Sequence, residues 1–202
     1  MEPFTTLTAV AVPIDLPNVD TDRIIPARFL RRSRGPDYER YLFHDVRFRD
    51  DGSEREDFIL NQPPYCQARI LVAAQNFACG SSREAAVWAL TAYGIRAFLA
   101  PSFGDIFAQN CGKNGALAVV LPGDVAARIR RQLHDRPGAE MTVDLLSQTV
   151  TAPDGARHEF QVDPFLKECL LRGQDEIALT LSHAAAIAAF EVRHEQEMPW
   201  LA

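Results

Sequence analysis

At 202 residues the chain is long enough for one domain with a core of its own. An apolar fraction of 47% with 24% charged residues belongs to a water-soluble globular protein, and a net charge of −6 speaks against a nucleic-acid surface. The start Met1-Glu2-Pro3-Phe4 lacks the basic segment of a signal peptide, and no apolar run reaches the length of a membrane span. Cys66, Cys79, Cys111 and Cys169 show no metal-ligand spacing, so reduced thiols, a cytoplasmic location and no metal or cluster held by this chain are expected.

Taken in order, Thr6 to Ile14 reads as a strand and leads into Pro17-Asn18-Val19-Asp20-Thr21-Asp22, a turn-rich acidic loop. Its oxygen-bearing side chains Asp20, Thr21 and Asp22 either place carboxylates in a site or form Asx-stabilised turns. Residues 31–57 are the most polar part of the chain and carry the Gly35-Pro36-Asp37 turn. They read as a long mobile loop with a little structure around Tyr41-Leu42-Phe43, serving as a lid, a partner-binding segment or a solvated insertion.

Arg69 to Ala74 is a second apolar strand, and Asn76-Phe77-Ala78-Cys79-Gly80-Ser81-Ser82-Arg83-Glu84 follows it before a helical pattern that runs to Tyr93 and stops at Gly94. Two readings stand side by side here. Backbone N–H groups without intrahelical partners, together with the helix dipole, attract an anion to a helix N-terminus, and Arg83 adds donors matched to a carboxylate. Ser81 and Glu84 also have the S-x-x-E spacing of a capping box, which would make the turn purely structural.

Ile95 to Ala100 is a third strand, then Ser102 and Asp105 suggest the cap of a short helix to Gln109 that ends near Gly112 or Gly115, and Ala116 to Leu121 is a fourth strand. This alternation predicts α/β layering. Gly123-Asp124 opens an amphipathic helix with Val125, Ile129 and Leu133 on one stripe; Met141 to Val162 reads as short strands; Asp163-Pro164 opens a helix through Leu171. Helical patterns continue from about Asp175 to His194. No repeat or linker interrupts the chain, so residues 1–202 are expected to form a single domain. The five histidines lie far in sequence from Ser81, and no Ser-His-Asp order or G-x-S-x-G elbow is present.

Across nearly its whole length the sequence resembles the small subunits of 3-isopropylmalate dehydratase (isopropylmalate isomerase), which are similar to the swivel domain of aconitase. The segments NVDTDRIIPARFL, NFACGSSREAAVWAL, YGIRAFLAPSFGDIFAQNCGKNG and QVDPFLKECLLRGQDEIALTLSHAAAIAAFE carry the likeness. The resemblance implies an aconitase-like swivel domain, three-layer β/β/α with a mixed sheet. It also implies a hydro-lyase active only in a heterodimer or heterotetramer with a LeuC-like large subunit, which would bind a 4Fe-4S cluster. Ser81 would be the base; Ser82, Arg83, Asp20, Thr21 and Asp22 would bind substrate. The segment Arg34-Gly35-Pro36-Asp37-Tyr38 would select the substrate side chain. The sequence departs from the family pattern at Ala78, Ala85 and Val87, where Gly, His and Pro are usual. The implied reaction interconverts 2- and 3-isopropylmalate in leucine biosynthesis. The alternatives are a related 2-methylmalate/citraconate hydro-lyase and a non-catalytic regulatory subunit.

Overall fold

A computed structural model describes residues 1–201. Seven strands form one sheet in the order β4-β3-β2-β1-β5-β6-β7. They are β1 (Thr6–Ile14), β2 (Ile70–Ala73), β3 (Ala97–Ala100), β4 (Leu117–Val120), β5 (Glu140–Asp144), β6 (Thr149–Thr151) and β7 (Arg157–Glu159). β1 lies centrally, parallel to β2 and antiparallel to β5, so a parallel half (β1 to β4) joins an antiparallel wing (β5 to β7).

The inner strands β2 and β3 are short apolar runs buried on both faces, as a covered parallel sheet requires. Strand alternation divides the side chains of the parallel half between two cores. Val12, Ile14, Leu71, Ala73, Phe98 and Ala100 face α3 (Glu84–Tyr93) and α4 (Asp105–Lys113). Ala9, Ala11, Ile70, Val72, Ala97 and Leu99 face α5 (Gly123–Asp135), together with Met141, Val143 and Val150 of the wing. The wing therefore curls back over the second face, and helices, sheet and wing make the mixed three-layer α/β architecture expected. In α3, Ala85, Ala86 and Ala89 are small enough to bring the helix close to the sheet, while Val87 and Leu90 fill the contact. Gly94, at φ 110°, ends α3 in the left-handed conformation that glycine adopts freely.

The polar stretch 31–57 holds more packed structure than its composition indicates. A 3₁₀ turn (Tyr38–Tyr41) and the one-turn helix α2 (His44–Arg47) bury Tyr38, Leu42, Phe43 and Arg47, while residues 31–37 are exposed. Arg47 is tolerated inside because its guanidinium donates to Asn61 Oδ1 (2.9 Å) and the Glu39 carbonyl (3.1 Å). The acidic turn after β1 likewise contains a single helical turn, α1 (Thr21–Ile24).

Helix α6 (Pro164–Arg172) starts as its sequence predicts, with the Asp163 carboxylate accepting from the Leu166 N–H at 3.0 Å. The final helical run is two helices, α7 (Glu176–Ser182) and α8 (Ala184–Glu197), meeting at His183. Neither buries a residue; Ile177, Leu181, Phe190 and Val192 face solvent. No helix among the described residues is long and apolar enough to cross a membrane.

Candidate active site

In sheets of this kind ligands bind beyond the carboxyl ends of parallel strands. Three loops leave those ends: residues 15–20 after β1, 74–83 after β2 and 101–104 after β3. They are laced together by backbone bonds. The Thr21 N–H donates to the Cys79 carbonyl (3.0 Å) and the Cys79 N–H to the Val19 carbonyl (3.2 Å), so the first two loops pair like a short extension of the sheet. The Phe77 N–H donates to the Ser102 carbonyl (3.1 Å) and the Gly104 N–H to the Phe77 carbonyl (3.0 Å), adding the third. Asn76 joins in with its side chain on Asn18 Oδ1 (2.7 Å) and its N–H on Ser102 Oγ (2.9 Å).

This lacing forces unusual backbone on the middle loop. Asn76, Ala78 and Gly80 have φ of 59°, 56° and 91°. Ala78, in the left-handed region without glycine's freedom, is strained. Gly104 is required by close approach, because a Cβ there would lie 2.4 Å from the Ala78 carbonyl oxygen.

The expected capping box does not form. Helix α3 begins at Glu84 with Arg83 as its N-cap residue, and no side chain caps it. Ser81 lies two residues before that cap; its carbonyl accepts from Thr21 Oγ1 (3.1 Å) and from the Arg83 N–H (2.8 Å). Glu84 instead accepts from Asn114 Nδ2 at 2.8 Å. Ser102 and Asp105 make no cap either, since Gly104 holds that position, while α4 ends at Lys113, close to the expected stop near Gly112 or Gly115. Gly123 is the first residue of α5, after a Pro122 N-cap.

The structure brings Asp20, Thr21, Asp22, Ser81, Ser82 and Arg83 into one patch. Asp20 caps α1, accepting from the Arg23 N–H at 2.7 Å. Thr21 is buried and holds the Ser81 loop; Asp22 is ion-paired with Arg83. The Arg83 side chain is only 18% exposed, whereas Asp22 stands 57% exposed. Ser81 and Ser82 are exposed at the surface. Ser81, Gly80 and Ala78 line one side of an open hollow of about 180 Å³, with Gly104 to Phe107 on the other. Arg83 and Asp22 lie outside that lining. A larger hollow of about 330 Å³, between α4, α6 and the start of α7, holds none of these residues. Among the described residues no three His, Cys, Asp or Glu side chains are grouped to hold a metal.

The segment Arg34 to Tyr38 does not touch Ser81; it packs farther along α3. The Arg34 guanidinium sits 4.8 Å over the Trp88 ring, and Tyr38 meets Trp88 edge-on at 6.4 Å. Burial of Tyr38 pushes its phenol pKa above the usual value.

A model of the aconitase C-terminal domain matches residues 1–124 and the LeuD_N model residues 127–164. A third model, for the C-terminal domain of 3-isopropylmalate dehydratase small subunits, matches residues 176–202. The 3-isopropylmalate dehydratase small subunit of Rhodospirillum centenum is 50% identical over 200 residues, 99% of this chain and 98% of that protein. Those of Paramagnetospirillum magneticum and a Jannaschia species are 49% and 50% identical over 201 residues, the whole of both chains in each case. The chain belongs to the 3-isopropylmalate dehydratase small-subunit family. A crystal structure of 3-isopropylmalate dehydratase from Methanocaldococcus jannaschii shares the fold, with a TM-score of 0.65 over 92% of this chain and 99% of that one at 23% identity.

Within this dehydratase family pattern, the departures at Ala85 and Val87 lie on the core side of α3, where both are buried, so neither opens space in the patch. Ala78 is the departure that touches the site, since it carries the strained backbone beside Ser81. Asn114, Asn76 and Gly104 lie inside the segments that carry the family likeness but show no role in the sequence alone, although they position the loops. Their only signal was that small and amide residues concentrate at turns.

Proposed function

We propose that this chain works as the substrate-facing small subunit of a cytoplasmic 3-isopropylmalate hydro-lyase, in which it meets a large subunit and interconverts 2- and 3-isopropylmalate in leucine biosynthesis. The observation that carries the reading is the patch itself: a serine on a strained loop, a carboxylate-binding arginine beside it, and both beside a helix N-terminus. A hollow of about 180 Å³ is smaller than the ~300–1,000 Å³ of small-molecule sites, which fits half of a site completed by a partner. Helices α7 and α8 add exposed apolar surface of the kind a partner covers.

The chemistry requires removal of a weakly acidic C–H proton and expulsion of hydroxide from the neighbouring carbon. A 4Fe-4S cluster on the large subunit would supply the Lewis acid that polarises the substrate's hydroxyl and carboxylate. Ser81 would take the proton, its alkoxide stabilised by backbone N–H groups and the positive helix end near it once the site is closed and dry. Arg83 binds a substrate carboxylate. Asp22 occupies the guanidinium in the free chain, so substrate replaces one carboxylate by another and Arg83 stays oriented throughout. Asp20 and Thr21 fix the neighbouring loop, Ser82 adds a hydroxyl at the rim, and the exposed segment Arg34 to Asp37, held by Tyr38 and Trp88 away from Ser81, would have to move toward the site to meet the alkyl group.

The test is Ser81→Ala in a complex reconstituted anaerobically with the large subunit and assayed on a panel of alkylmalates. Turnover should be abolished with assembly intact. Since Ser81 caps nothing, stability should move by less than about 0.5 kcal/mol. Near-normal rates, or a variant that unfolds, would overturn the assignment, and a wild-type complex that prefers 2-methylmalate would move the substrate to the smaller acid.

A further inference from the structure

Arg130 lies on α5, behind the sheet and about fifty residues beyond the Ser81 loop and over a hundred beyond the Asp22 loop. Its guanidinium crosses to the strand ends. Nε donates to Asp15 Oδ1 at 2.9 Å and Nη1 donates to the Ala73 carbonyl at 2.9 Å. Asp15 is the first residue after β1, and Ala73 is the last residue of β2. One turn along α5, His134 Nε2 meets the other oxygen of Asp15 at 2.5 Å. The Arg130 side chain is only 14% exposed, although Asp15 stands 57% exposed, so the guanidinium is largely covered while its carboxylate partner faces solvent.

Just past the tie, the Ala74 N–H donates to the Ile14 carbonyl (2.9 Å) and the Asn18 N–H to the Gln75 carbonyl (3.0 Å). The two segments run on, still paired through Val19, Thr21 and Cys79, into the loop bearing Thr21 and Asp22 and the loop bearing Ser81 and Arg83. A planar guanidinium fixes two acceptors at a set spacing, which a lysine ammonium cannot do. We propose that Arg130 is a positioning residue for the reaction: by joining Asp15 to the Ala73 carbonyl it sets the spacing between the two loops that hold base and clamp. This rests on the roles given above to Ser81 and Arg83.

Arg96 provides a matched control at the opposite, amino edge of the sheet. It is 21% exposed and donates to the carbonyls of Glu2, Pro3 and Gly115 at 3.0, 3.2 and 3.2 Å, an anchor of similar size far from the loops. Arg130→Met, Arg130→Lys and Arg96→Met are compared in the complex reconstituted with the large subunit. A misplacement of about an ångström can cost ~100-fold, so Arg130→Met should lower kcat by roughly ten- to a hundredfold with a smaller change in KM. Arg130→Lys should recover only part of it, and Arg96→Met should keep the wild-type kcat. In the isolated chain, amide hydrogen exchange over residues 17–22 and 75–83 should quicken in Arg130→Met and not in Arg96→Met. Where Arg130→Met does not fold, Asp15→Asn, which leaves the Ala73 bond in place, should show the same pattern at smaller amplitude. A wild-type kcat in Arg130→Met, an equal loss in Arg96→Met, or unchanged exchange in the two loops would overturn the proposal. A wild-type complex inactive on every alkylmalate would instead sink the functional reading, and the exchange comparison would still decide the role of Arg130.

Discussion

The carboxyl edge of the parallel strands and the C-terminal helices are opposites in construction. The edge has almost no regular structure, yet its loops are cross-bonded at every few residues and include three left-handed residues within five positions. The tail is regular, with helices of seven and fourteen residues, yet buries nothing and meets the body through an exposed Lys113–Glu176 pair at 3.5 Å. Local regularity and tertiary constraint are therefore separate properties, and in this molecule the candidate chemistry sits on the constrained, irregular side. Preorganised groups suit a reaction in which base and carboxylate clamp must stay aligned.

The sharpest way to break the contrast is Gly104→Ala. Its Cβ would press on the Ala78 carbonyl, backbone against which nothing can easily yield, and should cost about 1–3 kcal/mol. Chemical denaturation would read this as a lowered midpoint with an unchanged m-value, whereas a neutral result would mean that the loops are less tightly laced than described. Ala78→Gly tests the strain in the other direction. It should stabilise the protein by about 0.5–1 kcal/mol, since glycine holds the φ of 56° without the Cβ that makes alanine strained there. A loss of stability there would show that the Ala78 methyl group in the core outweighs the strain. Deleting residues 176–202 should have the smallest effect, shifting the body's unfolding free energy by less than about 1 kcal/mol, because helices that bury no residue are lost together with an exposed ion pair. A large drop in the isolated chain would place hidden packing in the tail.

The same contrast explains what could be read in advance. β1, the strands of the parallel half and the α6 cap at Asp163 follow from short-range signals, namely alternation, apolar runs and an Asx-Pro start. The amphipathic stripe Val125, Ile129 and Leu133 is buried as its spacing predicts. The motif residues were also legible, but their arrangement was not. Ser81 and Glu84 have capping-box spacing, yet Thr21 holds the Ser81 carbonyl and Asn114 takes the Glu84 carboxylate, and both partners are at least thirty residues away. Composition misled at Arg47, whose burial depends on acceptors supplied by Asn61 and Glu39. Arg130 left almost no trace: on a helix with a polar face, an arginine reaching through to strand ends looks like any solvated charge.

The central position of β1 also fixes an order of events during synthesis. Its outer partner, β5, closes the pair by bringing Thr6 to Asp144, 138 residues apart. Pairings of that separation are slow, because the chain loses the entropy of a long loop before any contact rewards it. All three loops of the candidate site leave the ribosome well before β5, and also before the α5 segment that ties two of them from behind. A nascent chain stalled near residue 125 thus carries every proposed site residue and the parallel strands beneath them, but neither the α5 tie nor the antiparallel wing. The first strand made waits longest for its last neighbour.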